Sequence, residues 1–334
     1  MFLQRRLGAV SAVSAALTLA LTGCAGGTAA TPSAPATTAT TTVTVTDNYG
    51  EQTVTVPPSR VAATDNRTFQ TLDAWGIKLV AAPIPLMSGE LSYPSDDSIA
   101  DLGSHREPDL EAIVATNPDL VLVGQRYTQH YEAIDGLVPD ATLINVDPRD
   151  GEPYGDELKR QVEVLGQVFG KETEAATLAA DFDAAVARVQ AAYNADETVM
   201  GLVTSGGAIN YAAPSTGRTL GPVFDMLSLT PAIEADGTTV DRGDEISVEA
   251  IAEANPAWIL VMDRDAGLGA RGNPEDQEYT PANELIADSP ALQNVTAVQK
   301  GQIVYMPADT YLNEGIQTYT TFLNQIADAM EAQS

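Results

Sequence analysis

One sixteen-residue stretch occurs twice. Residues 111–126 read "EAIVATNPDLVLVGQR", and residues 249–264 read "EAIAEANPAWILVMDR". Both open on Glu-Ala-Ile, reach Asn-Pro at the same spacing, run through apolar residues and close on Arg. The offset is 138 residues, so Glu111 answers to Glu249, Pro118 to Pro256 and Arg126 to Arg264. Asp109 and Ser247 precede the copies as candidate helix N-caps. Each helix must stop at Asn117 or Asn255, because the residue before proline is driven out of the helical region. A strand apolar on both faces follows, the pattern of a buried parallel sheet. Each Arg stands just beyond the carboxyl end of that strand, where open α/β sheets bind their ligands. Two lobes of one design, facing each other, would present Arg126 and Arg264 across a single cleft.

The rest of the chain reads in the same way. Residues 42–58, "TVTVTDNYGEQTVTVPP", alternate Val and Thr around "DNYG", a β-hairpin pattern. From residue 61, short apolar runs ("VAAT", "LVAAP", "LVLV", "TLINV") alternate with helical segments, as α/β lobes do. The strongest helical pattern is at 171–193, where Leu178, Phe182, Val186, Val189 and Tyr193 recur at steps of three and four. A second α/β series follows ("TVMGLVTS", "FDMLSL", "WILVM", "IVYM"). The long helix is therefore expected between the lobes: 43–170, then helix 171–194, then 195–334.

The first residues carry a different message. A basic start, "MFLQRR", precedes an uncharged stretch of apolar and small residues that ends in "LTGC". This is the shape of a secretory signal, expected over 1–23. The stretch is short for a membrane span. Cys24 is the only cysteine, so no internal disulfide can form. Residues 25–42 are only Ala, Gly, Thr, Pro and Ser, so 24–42 is expected to be a flexible tether.

Charge narrows the function. The chain has 46 acidic residues against 17 Lys and Arg, a net charge of -29. Such a surface repels nucleic acid. Against that background the placement of arginines is informative. Arg126 and Arg264 end the repeat strands, Arg218 sits in the loop "APSTGRTLG", Arg242 in "VDRGDEIS" and Arg67 in "TDNR". A guanidinium cluster suits an anionic ligand with planar oxygen donors.

At this point the chain resembles the iron-siderophore class of ABC-transporter substrate-binding lipoproteins. The resemblance spans roughly residues 43–330 and is carried by "LGSHREPDLEAIVATNPDLVLVG" and "LQNVTAVQKGQIVYM". It implies two Rossmann-like α/β lobes joined by a long α-helix, in the manner of class III periplasmic binding proteins. "LTGC" is similar to the lipobox, which implies lipidation of Cys24 and anchoring on the extracytoplasmic face of the membrane; a monomer is expected. The ferric-catecholate subgroup is the nearest in pattern. There an Arg follows the first repeat strand, a second lies in a Pro-x-Ser loop and a third follows Asp, matched here by Arg126, Arg218 and Arg264, although the "APSTGR" loop is one residue longer. Tyr311 in "DTYLNEG" falls where some members bind iron directly, while Arg242 falls at the position of their His. The resemblance thus implies Arg242 as a fourth cation, Tyr311 hydrogen-bonding or stacking, no direct metal ligand and a preference for hexadentate Fe3+ catecholates. Glu111 and Glu249 match the residues that dock such proteins onto the ABC permease.

Other functions fit these residues less well. A zinc or manganese receptor needs several converging His and carboxylate ligands. The two histidines, His105 and His130, both fall in the first lobe, His105 near the cleft and His130 on an exposed helix. Haem would need an axial ligand from His105, Tyr127 or Tyr311, while cobalamin favours an aromatic cleft and ferric citrate is a third rival. No G-x-S-x-G, H-E-x-x-H or Cys–His pair supports a hydrolase. Neither an enzymatic activity nor a cofactor is expected.

Overall fold

The computed structural model describes residues 41–268 and 279–333. The expected signal segment, Cys24 and nearly all of the tether lie outside them. The hairpin forms as its alternation requires. Strand Thr42–Asp47 pairs antiparallel with Gly50–Thr55, from Thr42 opposite Thr55 to Asp47 opposite Gly50. The hairpin therefore begins at residue 42, where its alternation starts and one residue inside the expected tether. Val45 and Val54 are buried on its inner face, and Asp47 accepts the Asn145 N–H at 2.9 Å, tying it to the first lobe.

Each lobe is built on one five-stranded sheet. Across the first, the strands run Ala100–Asp101, Leu79–Ala82, Val61–Ala63, Leu120–Leu122 and Thr142–Ile144, all neighbours parallel. Across the second they run Ala208–Ala212, Thr198–Ser205, Trp258–Asp263 and Ile303–Tyr305, with Thr230–Pro231 also paired to Thr198–Ser205. One strand departs from the parallel expectation. Ala208–Ala212 returns antiparallel from Thr198–Ser205 through Gly206 and Gly207, whose φ of 59° and 74° suits a tight reversal.

The central strands are mostly apolar because both faces are covered. Val61, Ala63, Leu120 and Leu122 belong to one core and the alternate Ala62, Val121 and Val123 to another. In the second sheet Val199, Val203, Trp258, Leu260 and Met262 face one core, Met200, Leu202, Ile259 and Val261 the other. The repeat helices Leu110–Thr116 and Val248–Ala254 are built alike. Asp109 accepts from the Ala112 N–H at 3.0 Å and Ser247 from that of Ala250 at 3.1 Å. Asn117 and Asn255 close them in left-handed conformation, with φ of 45° and 44°.

The expectation for the joining helix needs correction. Helix Glu172–Ala192 forms where the periodicity puts it, but its buried Phe182, Ala185 and Val189 all enter the second lobe's core. The preceding helix, Tyr154–Phe169, is the one that joins the lobes. Its Leu158 and Val162 pack with Phe182, Trp258 and Phe322, while Val164, Leu165 and Val168 pack with Val61, Phe69 and Leu120. Glu172–Ala192 stands out in sequence because it is rich in Ala, the best helix former, and propensity says nothing about what a helix packs against. The two helices approach closely at Gly166, where a Cβ would come within 2.8 Å of the Ala175 Cβ. Among the described residues no helix is long and apolar enough to cross a membrane.

Candidate functional site

The two repeat strands deliver their arginines to one place. Beyond Leu120–Leu122, Gly124 passes so close to Asp65 that a Cβ would lie 2.5 Å from its Oδ2. Asp147 then accepts the Gln125 N–H, at 2.7 Å to one oxygen and 2.9 Å to the other. Arg126 follows in the short 3-10 helix Gln125–His130. Beyond Trp258–Asp263, Arg264 opens helix Arg264–Leu268. Arg218 comes from a loop held by left-handed Ser215 and Thr219. The focus of all three is Tyr311, in the 3-10 turn Thr310–Leu312. The guanidinium carbons of Arg126, Arg218 and Arg264 lie 4.8, 5.1 and 4.6 Å from its ring centroid. Each is within the range of a cation–π attraction.

The three cations are partnered unequally. Glu314, buried, accepts from Arg218 Nε at 3.1 Å and Nη2 at 2.7 Å. It also accepts from the Thr219 hydroxyl at 2.7 Å and, from the other lobe, Gln125 Nε2 at 2.5 Å. Burial works to raise the Glu314 pKa, but Arg218, with Arg67 and the Thr219 hydroxyl, outweighs it and holds the carboxyl at about 2. Arg264 reaches Asp241 at 3.0 Å and Asp265 at 3.4 Å. The Tyr311 hydroxyl donates to the same Asp241 oxygen at 2.6 Å. Burial again opposes ionisation of Asp241, and the Tyr311 hydroxyl and Arg264 hold it at about 2. Arg126 has no carboxylate partner among the described residues, and its Nη2 is buried without a hydrogen bond. Its pKa is lowered by burial and then by Arg218, yet a guanidinium stays protonated at neutral pH.

The other expected residues divide. His105 is close enough to Arg126 to feel it: burial lowers the His105 pKa first and Arg126 next, and its Nδ1 is buried without a partner. Its carbonyl accepts from His130 Nε2 at 2.9 Å, so His130 braces this loop rather than standing free on a helix. Arg67 is paired with Asp147 at 3.2 Å. It lines a cavity of about 960 Å³ with Tyr154, Phe182, Arg218, Met226 and Glu314. This cavity adjoins the Tyr311 cluster through Arg218 and Glu314 and does not include Tyr311 itself. Asp65, beside Arg67, is held well above the usual carboxylate range by burial and then by Asp147.

Two residues are not brought to the cluster. Tyr127 is fully buried in the first lobe's core, and its hydroxyl donates to the Leu102 and Gly103 carbonyls at 2.9 and 3.1 Å. Its aromatic ring serves packing because the 3-10 helix turns Arg126, not Tyr127, toward Tyr311. Arg242 is exposed, and among the described residues its one hydrogen bond is at its carbonyl, from Asn210 Nδ2 at 2.8 Å. The neighbouring Asp241 takes the inward place, so a carboxylate stands where a fourth cation was expected. Glu111 and Glu249 are exposed in the first turns of their helices. Asp241, Asp265 and Glu314 escaped the sequence reading because nothing local separates them from dozens of other acids. Among the described residues no group of three or more His, Cys, Asp or Glu is placed to hold a metal ion.

Comparison with known proteins agrees with this architecture. The family described as periplasmic binding protein matches residues 61–310. The petrobactin-binding protein YclQ of Bacillus subtilis is 26% identical over 279 residues, covering 82% of this chain and 83% of the relative. The ferric-anguibactin-binding protein FatB of Vibrio anguillarum is 29% identical over 269 residues, 80% of each. The catecholate-siderophore binding protein VctP of Vibrio cholerae shares the fold, with a TM-score of 0.70 at 23% identity over 87% of this chain and 100% of that one.

Proposed function

The chain belongs to the periplasmic binding protein family, and from that premise we propose that it captures a ferric siderophore outside the cytoplasmic membrane and passes it to an ABC permease. The family and the curated relatives are binding proteins, not enzymes. The observation that carries the proposal is the set of three guanidiniums around Tyr311, drawn from both lobes to one aromatic ring. Hard, anionic oxygen donors surround Fe3+ in a siderophore, and guanidiniums hydrogen-bond the outer faces of such oxygens. Catecholate oxygens are the chemistry best matched to a mixed cationic and aromatic wall. Arg126 leads the binding because its buried Nη2 has no hydrogen-bond partner. Arg218 and Arg264 add field, His105 borders them, and Arg67 stands at the adjoining cavity. The names of the relatives, petrobactin and ferric anguibactin among them, support the same ligand class.

Delivery completes the proposal. Glu111 and Glu249 stand at equivalent exposed places of the repeat, one on each lobe, and serve as the two permease contacts. Cys24 is the lipid-bearing residue that retains a monomer at the outer face of the membrane. The ligand test is a fluorescence-quenching titration of the purified protein with a ferric catecholate, haem, ferric citrate and cobalamin. Tightest binding of the ferric catecholate is expected. Preference for haem or cobalamin refutes the ligand assignment.

A further inference from the structure

The charge of the cluster is not what a highly anionic ligand requires. Arg126, Arg218 and Arg264 face three carboxylates: Glu314 on Arg218, and Asp241 and Asp265 on Arg264. Arg67, next to them, is answered by Asp147. The site is therefore close to neutral before any ligand arrives. The three carboxylates differ in access. The side chains of Glu314 and Asp265 are 3% and 6% exposed, whereas Asp241 is 33% exposed. Glu314 is locked by Arg218, Thr219 and Gln125, and Asp265 accepts the Gly206 N–H at 2.5 Å. Asp241 is the carboxylate that a ligand entering from solvent meets. It also occupies the Arg264 Nη2 and the Tyr311 hydroxyl, two donors that would otherwise face the ligand.

Resting on the ferric-siderophore reading above, we infer that Asp241 is a specificity-determining residue that selects ferric chelates by charge, favouring complexes of low negative charge over the triply charged tris-catecholate. A ligand oxygen can take over the Arg264 donor only beside, or in place of, a fixed negative charge. Each further negative charge on the complex raises that penalty. The carboxyl stays ionised across the physiological range, because the Tyr311 hydroxyl and Arg264 together outweigh its burial. Protonation therefore offers no escape, and the discrimination is built in. Two like charges about 6 Å apart in half-solvated surroundings repel by an amount worth roughly fivefold in affinity. This reverses the preference expected from sequence, which rested on Arg242 lying in the site.

The test varies charge at constant shape. One hexadentate tris-catecholate chelator is loaded with Ti4+, giving a dianion, or with Fe3+ or Ga3+, giving trianions. Affinities of the wild type and Asp241→Asn are measured by fluorescence quenching. The wild type should bind the dianion about fivefold or more tightly than either trianion. Asn keeps an acceptor for Tyr311 and removes the charge, so in Asp241→Asn all three complexes should gain affinity, the trianions about fivefold more than the dianion, and the ratio should fall below about twofold. A purely structural role would weaken all three complexes together and leave the ratio unchanged. An indifferent wild type, or the same ratio in the variant, overturns the inference while leaving siderophore capture intact. Failure of the folded wild type to bind any of the three complexes, or any ferric catecholate of lower charge, overturns both.

Discussion

Replacing Arg126 by Met should make the protein more stable and a worse binder. The side-chain stem is preserved, so packing against the Tyr311 ring is largely kept. What disappears is a guanidinium with no carboxylate partner and a buried Nη2 that donates to nothing. An unsatisfied buried donor costs about 1–3 kcal/mol. Against that stands the cation–π attraction to Tyr311, at 4.8 Å, worth about 0.5–2 kcal/mol. Repulsion from Arg218 adds to the cost side. The balance is a gain near 1 kcal/mol on removal. Arg218 is the internal control, since it carries the same charge 5.1 Å from the same ring. Its removal strands the buried Glu314 carboxylate, and breaking a buried ion pair costs about 3–5 kcal/mol. Urea unfolding of the two variants should therefore differ by about 5 kcal/mol, with opposite signs relative to wild type. Both should lose affinity for a ferric catecholate, by about 1.5–3 kcal/mol or roughly 10- to 150-fold. A loss of more than about 2 kcal/mol in Arg126→Met would refute the reasoning, because it would mean that the unpaired cation holds the fold together.

Further outcomes follow from the same structure. The folded pKa of Glu314 is depressed to about 2, so its stabilisation is complete above its unfolded value and is lost as pH falls toward 2. Glu314→Gln should accordingly shrink the stability difference between pH 7 and pH 3 by about 2 kcal/mol, read from denaturant midpoints, and an unchanged difference counts against the Arg218 pairing. Reversing Glu111 or Glu249 to Lys should leave ligand affinity intact and reduce iron uptake, the double reversal more than either; undiminished uptake would leave them only a helix-terminal role of about 0.3–1 kcal/mol each. Cys24→Ala should release the protein from membranes or leave it unprocessed, and unchanged retention with unchanged mass argues against lipidation there.

Much of the fold is legible because its signals are local. Alternation of Val and Thr gives the hairpin, and runs apolar on both faces mark the buried parallel strands. Asp109 and Ser247 open helices, and Asn117 and Asn255 before proline close them, for reasons contained within a few residues. The strand-end places of Arg126 and Arg264 follow from the same logic. What is not legible is pairing at a distance. Glu314 meets Arg218 across 96 residues and Gln125 across 189. In a chain with 46 acids no local feature singles it out. Asp241 and Arg242 are adjacent, and only the turn they occupy decides which of them faces Tyr311. The joining helix is missed for a related reason: its apolar positions are clear, but which core each one enters is a property of the whole chain.

That shared helix ties the two lobes' fates together. Leu158 and Val162 complete one core while Val164, Leu165 and Val168 complete the other, along a single hydrogen-bonded rod. Neither lobe can melt without uncovering apolar side chains that the other still needs. A chain that reads as two copies of one machine should therefore unfold in a single cooperative step, and a fragment cut at either end of residues 154–169 would leave one half without the wall that closes its interior.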